Sequence, residues 1–121
     1  MDIYRTVIGS IGPYALDFLE TDVLITFYPQ APDGLKDYCL ILTPTDLAAD
    51  IQIGDYLVLG EKRYFITAVG PVASENLRNL GHISLRFDGA IATPWAGSIH
   101  LAGDKPRAAR VGETLAIERE A

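Results

Sequence analysis

The sequence predicts an all-β fold: a small barrel-like domain of short strands with one or two short helical turns, one unit over residues 1–121. Three observations carry this. Apolar and polar residues alternate with period two through much of the chain, the rhythm of a half-buried strand. The 11 glycines and 7 prolines are spread between these runs, as turns between many short strands require. Nothing supplies the crossover helices of a parallel α/β sheet.

Each element has its own signal. Ile3, Arg5 and Val7 alternate with Tyr4, Thr6 and Ile8 in a first strand with one fairly polar face. Asp22 to Tyr28 is β-branched and aromatic, and ends at Pro29, which has no amide for a ladder. Tyr38 to Thr43 is a short apolar run stopped by Pro44, read as a strand buried on both faces. Asp33 to Asp37 can make a single helical turn. Tyr56 to Leu59 and Arg63 to Val69, joined by Gly60-Glu61, read as a hairpin. Ser74 is placed to cap a short helix over Glu75 to Leu80, with Gly81 ending it. Strands follow at His82 to Asp88, Ser98 to Ala102 and Thr114 to Glu118. Residues 53–59 and 111–117 echo each other, both a Gly-acidic turn feeding a strand, as two turns of one barrel-like sheet would.

Composition removes several classes of function. Ten Lys and Arg face sixteen Asp and Glu, a net charge of -6, so nucleic acid is not an expected partner. One cysteine excludes an internal disulfide framework and any CxxC motif. The apolar runs fall far short of the roughly 20 residues of a membrane helix, and the first residues do not read as a signal peptide. The expectation is a soluble cytoplasmic domain without direct membrane insertion. Nucleotide cradles of the GxGxxG and GxxxxGK[ST] type and the GxSxG elbow are absent, so no cofactor is expected.

The chemistry-bearing residues converge on one strand. Ile83, Leu85 and Phe87 share one face, and His82, Ser84, Arg86 and Asp88 the other. Imidazole is a competent nucleophile towards phosphorus, and a guanidinium can hold phosphoryl oxygens as charge redistributes. Four residues along a strand span roughly 13 Å, so Ser84 rather than Arg86 is the nearer neighbour of His82. Such a row is also what the outer face of any one-sided sheet shows, and the residues leave both readings open. His100 points away from whatever Ile99 and Leu101 bury, and shares a face with His82 if their strands pair. A zinc site would need a third ligand, with Asp88 or Cys39 the conceivable ones, so no metal is expected. Cys39 reads as an inert core thiol, and Trp95 as a buried loop plug or an exposed aromatic anchor. Lys105, Arg107 and Arg110 read as loop surface, and Glu118 and Glu120 as solvation of an edge.

From Ala68 to Gly89 the run AVGPVASENLRNLGHISLRFDG resembles the glucitol/sorbitol-specific IIA component of the sugar phosphotransferase system. So do LITFYPQAP at 24–32, KDYCLI at 36–41 and GSIHLAGDKP at 97–106. The resemblance implies a mainly-β cytoplasmic barrel that accepts a phosphoryl group on a histidine from the general phosphocarrier protein. It would pass that group to the IIB part of a membrane transporter, without nucleotide or bound sugar. His82, Arg86 and His100 match family positions. The accepting histidine implied by the family, in a His-x-His-Gly stretch after the Tyr-Cys pair, falls on Leu42, Thr43, Pro44 and Thr45, with Leu42 at the acceptor position. Neither threonine replaces an imidazole at neutral pH. Two expectations follow: a phosphocarrier that uses His82, with Arg86 beside the phosphoryl group and Ser84 or His100 orienting, or a non-phosphorylatable binding or regulatory module.

Overall fold

The alternating runs become eight strands in the computed structural model, which describes residues 1–120. These are β1 (Asp2–Ile11), β2 (Val23–Phe27), β3 (Leu40–Leu42), β4 (Tyr56–Leu59), β5 (Lys62–Val69), β6 (Ile83–Arg86), β7 (Ser98–Ala102) and β8 (Thr114–Glu118). They close into a barrel in the order β1-β3-β2-β6-β7-β5-β4-β8, so no strand edge is left open. Alternation decides what fills it: Leu24, Leu40, Leu42, Leu57, Ile66, Leu85, Ile99 and Leu101 are wholly buried. Each contributes about 1.5–3 kcal/mol relative to an exposed side chain. In β1, Tyr4, Thr6 and Ile8 point inward and Arg5 and Val7 outward, while a register shift between Asp2 and Tyr4 admits Ile3 as well.

The hairpin forms as its sequence indicates, with Leu59 opposite Lys62 across Gly60-Glu61. Helical structure is limited to α1 (Asp33–Lys36), α2 (Ala73–Leu80) and a 3-10 helix over Ala15–Thr21 that the sequence pattern does not announce. Helix α2 ends at Gly81 in the left-handed conformation. Its start corrects the sequence reading: Val72 occupies the N-cap position, and the Ser74 hydroxyl instead accepts the amide of Ile51 at 2.9 Å. Ile51 is buried within an otherwise mostly exposed connecting segment, and its amide takes the Ser74 hydroxyl as its partner.

Two neighbouring pairs, β2–β3 and β6–β7, are parallel. Their crossovers, residues 28–39 and 87–97, are mostly irregular rather than long helices, because they only have to reach the adjacent strand of a small barrel. These two crossovers lie over the two histidine-bearing faces.

The pairing also exposes an internal duplication, of which the Gly-acidic echo is the visible end. In β1–β3, Ile8, Ser10 and Ile11 face Leu42, Ile41 and Leu40, with a register shift after Ile8. In β5–β7, Ile66, Ala68 and Val69 face Leu101, His100 and Ile99, with the shift after Ile66. Phe27 pairs with Ile41 as Arg86 pairs with His100. The turn bonds match as well: Gly54 and Gly112 donate to the carbonyls of Ile66 and Ile8, and the amides of Ile66 and Ile8 donate back to the carbonyls of Asp55 and Glu113. Both glycines have positive φ, at 97° and 91°. The β1–β4 half and the β5–β8 half are therefore two versions of one pattern, with Ile41 corresponding to His100 and Leu42 to Leu101.

Candidate functional site

Strand β6 delivers the face that its alternation predicts. Ile83, Leu85 and Phe87 are buried, and His82, Ser84 and Arg86 are half-buried on the outside. Pairing of β6 with β7 places Arg86 beside His100 and Ser84 beside Ser98. The predicted residues nevertheless divide into two groups, because His82 lies four residues along β6 from the His100 register position, roughly 13 Å away.

The first group surrounds His82. Its Nδ1 lies 3.2 Å from the carbonyl oxygen of Thr26. A carbonyl only accepts, so Nδ1 carries a proton, and in the neutral ring the lone pair lies on Nε2. The ring stacks on Phe27 with centroids 4.4 Å apart, which fixes its plane. Beside it opens an apolar hollow of about 290 Å³ lined by Phe18, Ile25, Phe27, Leu35, Tyr38 and Cys39. Burial pushes the Cys39 thiol up to about 11, so it stays protonated and unreactive at neutral pH. No cation lines this hollow. Phe18 and Tyr38 escape a motif reading, since the 3-10 helix and the α1 crossover that bring them here carry no strong periodic signal.

The second group surrounds His100, which is wholly buried. Its Nδ1–H donates to Asp88 Oδ1 at 2.7 Å, and Nε2 has no partner among the described residues. Burial pushes the Asp88 carboxyl up, but hydrogen bonds from His100 and the Ala90 amide outweigh it and hold the carboxyl below the usual carboxylate range. Trp95 roofs the imidazole at 6.3 Å, and the Arg86 guanidinium lies 3.7 Å over the indole, with Arg86 Nε donating to Ser98 Oγ at 2.8 Å. Trp95 is thus a half-exposed roof rather than a buried plug, and His100 is covered although it points away from the barrel interior. Replacing Trp95 with alanine is expected to open this imidazole to reagents. Diethyl pyrocarbonate should modify one histidine in the native protein and both in the variant; an unmodified His100 in a folded variant would show that the roof is elsewhere.

Cys39 accompanies His82 and Asp88 accompanies His100, so the conceivable zinc ligands do not converge, and no group of three His, Cys, Asp or Glu able to hold a metal occurs among the described residues. Lys105 pairs with Asp22 at 3.0 Å, and Arg63 pairs with Glu118 at 3.0 Å and more loosely with Glu120 at 3.7 Å. Leu42 lies opposite Ile8 and packs into the main core without exposed surface. A hollow of about 350 Å³ opens beside it, lined among others by Lys36, Ile41, Thr43 and Pro44. No helix is long and apolar enough to cross a membrane.

Comparison with known proteins agrees with this fold. The family model for the PTS system glucitol/sorbitol-specific IIA component matches residues 3–116. The glucitol/sorbitol-specific EIIA component of Escherichia coli (strain K12) is 43% identical over 116 residues, which cover 96% of this chain and 94% of that protein. Its Shigella flexneri counterpart matches equally, at 43% over 116 residues. The crystal structure of a PTS system IIA component from Enterococcus faecalis V583 superposes with a TM-score of 0.80 at 27% identity, covering 92% of this chain and 96% of that one. With matches spanning nearly its whole length, the chain belongs to the glucitol/sorbitol-specific IIA family of the sugar phosphotransferase system.

Proposed function

We propose that this protein works at the IIA station of a glucitol/sorbitol-type phosphotransferase system in the cytoplasm. It takes a phosphoryl group from the general phosphocarrier protein onto His82 and hands it to the IIB part of the transporter. The observation that carries this reading is the state of the His82 ring: Nδ1–H is tied to the Thr26 carbonyl, which leaves a nucleophilic Nε2 on the more accessible of the two imidazoles. Nε2 attacks phosphorus, the donor's P–N bond breaks, and its electron pair returns to the donor imidazole. Delivery to IIB runs the same exchange in the other direction. The apolar walls limit water that would hydrolyse the intermediate. Ser84 is the nearest polar neighbour on the same face. Arg86 and His100 act at a distance, by holding β6 against β7, and the phosphoryl charge is met by cations that the partner brings.

The test is incubation with the isotopically phosphorylated general phosphocarrier protein. One acid-labile, base-stable label is expected per chain, mapped to His82 and absent from His82→Ala. Label that persists in that variant would reassign the carrier, and no label at all would overturn the reading. Leu42 favours the second reading, a non-phosphorylatable module that docks the same proteins: the position that the family resemblance gives to the accepting histidine holds an aliphatic side chain, and that side chain is buried in the core. Partner binding without any label would support it.

A further inference from the structure

We infer that the hollow between the β4–β5 turn and the chain leading into β8 binds a small phosphomonoester that carries hydroxyl groups. This site shares no lining residue with the hollow beside His82 or with the roof over His100. It does not depend on which residue, if any, takes part in a phosphoryl relay.

The distribution of cations supplies the first argument. Of the ten Lys and Arg, Arg5, Arg63, Arg78, Lys105 and Arg119 each pair with a carboxylate, and Arg86 lies over the Trp95 ring. Lys36, Lys62, Arg107 and Arg110 have no ion-pair partner among the described residues. Three of these four, Lys62, Arg107 and Arg110, line one hollow of about 700 Å³. Arg107 stands between it and a second hollow that Lys105 lines. In a chain of net charge -6, carboxylates are not scarce, and unpaired cations gathered at one place repel one another. A dianion relieves that repulsion, and guanidinium forks match the spacing of phosphoryl oxygens.

The internal duplication supplies the second. Glu113 is the counterpart of Asp55, and each carboxylate accepts the amide three residues before it, from Arg110 at 2.6 Å and from Gln52 at 2.8 Å. At the Asp55 turn the space is closed by the chain itself: the Arg119 guanidinium grips Asp55 and reaches the Asp50 carbonyl. At the Glu113 turn no guanidinium does this. The offset that relates Asp55 to Glu113 relates Glu61 to Arg119, and Glu61 sits in the hairpin turn, exposed and acidic. One turn is plugged by an arginine, and its duplicate is left open at the size of a small-molecule site.

The rest of the lining selects the ligand. Glu61 and Glu113 can only accept, so they suit hydroxyl donors beside the phosphoryl group. Leu59 and Pro106, both buried, give an aliphatic floor for a carbon chain. No aromatic ring lines the hollow, so a nucleotide base has nothing to stack on.

The test titrates the full chain, isotopically labelled, with glucitol 6-phosphate as the hydroxylated phosphomonoester, and separately with inorganic phosphate, glucitol and succinate, while amide shifts are followed. Glucitol 6-phosphate is expected to give saturable shifts at residues 59–62 and 106–114 with a Kd of about 1 mM or below, weakening as salt rises. Inorganic phosphate and succinate should bind about tenfold more weakly, and glucitol should shift nothing. Arg107→Ala with Arg110→Ala, both at exposed positions, should weaken binding about tenfold or more, with a urea midpoint near that of the native chain showing that the fold is kept. Lys36→Ala, which removes the one unpaired cation elsewhere, should bind as the native chain does. Glu61→Ala should weaken glucitol 6-phosphate and leave inorganic phosphate unchanged. Shifts centred on another face, undiminished binding by the double arginine variant, or no saturable shift by about 10 mM would overturn the site. Equal binding of inorganic phosphate, or tighter binding of succinate, would overturn the assignment of a hydroxylated phosphomonoester.

Discussion

Gly70→Ala is expected to destabilise the protein by about 3 kcal/mol or more, a large part of what a domain of this size has. A Cβ at Gly70 would lie 2.2 Å from the carbonyl oxygen of Ala96. That oxygen is backbone, and it accepts the amide of Val72, so it has no rotamer through which to withdraw. The duplicated position gives an internal check: a Cβ at Gly12 would meet the Lys36 carbonyl oxygen at 2.2 Å, where Tyr14 donates to the neighbouring Asp37 carbonyl. At both places the strand that leaves the barrel presses against the end of a crossover. Gly12→Ala should therefore cost a similar amount. Urea unfolding measures both, and a midpoint close to that of the native protein for either variant would show that the crossover yields.

Arg119→Ala is expected to cost about 2–3 kcal/mol, through the carboxylate that it leaves behind. Asp55 is almost wholly buried and accepts two hydrogen bonds from Arg119, each at 2.9 Å, together with the Gln52 amide at 2.8 Å. Partial exposure of the guanidinium places the figure below that of a fully buried pair. Burial pushes the Asp55 carboxyl up, but the Arg119 and Gln52 hydrogen bonds prevail and hold it below the usual carboxylate range. The unfolded chain consequently binds this proton more readily than the folded one. The pair's contribution is complete above the usual carboxylate value near 4 and is lost as pH falls through the lower folded value. Unfolding free energies at pH 7 and pH 3 should differ less for Asp55→Asn than for the native protein; an unchanged pH dependence would place the acid sensitivity in other carboxylates, such as Asp88.

Much of the architecture can be read from residue pattern. Alternation, β-rich composition and one short apolar run together find all eight strands to within a few residues, and Pro29, Pro44 and Gly60 punctuate them where the chain turns. What escapes is relational. Ile11-Gly12-Pro13 and Val69-Gly70-Pro71 stand in the sequence as a second echo, yet only the paired registers show that they close equivalent corners. The helix over Ala15–Thr21 buries only Ala15 and Leu19, one i, i+4 pair, which is too short a stripe for periodicity to announce it.

The site follows the same division. Period two correctly places His82, Ser84 and Arg86 outward, since that depends on neighbours in the chain. It cannot show that a crossover lies over His100, because Trp95 arrives from outside the strand and its stacking depends on Arg86 and Ser98 holding it. Nor can it distinguish the apolar hollow beside His82 from core, since Phe27 and Cys39 read alike in either setting.

The duplicated halves are intertwined. Strand β4 is built from the first half, but both of its partners, β5 and β8, belong to the second; β8 pairs only with β1 and β4 of the first. Each half thus lends its last strand to the other, and a lone half would carry one strand with nothing of its own to lie against. The natural complement of such a fragment is a second copy of itself, exchanging terminal strands to close a symmetric eight-stranded wall. The single chain performs that exchange within one polypeptide, which leaves its two outward faces free to diverge.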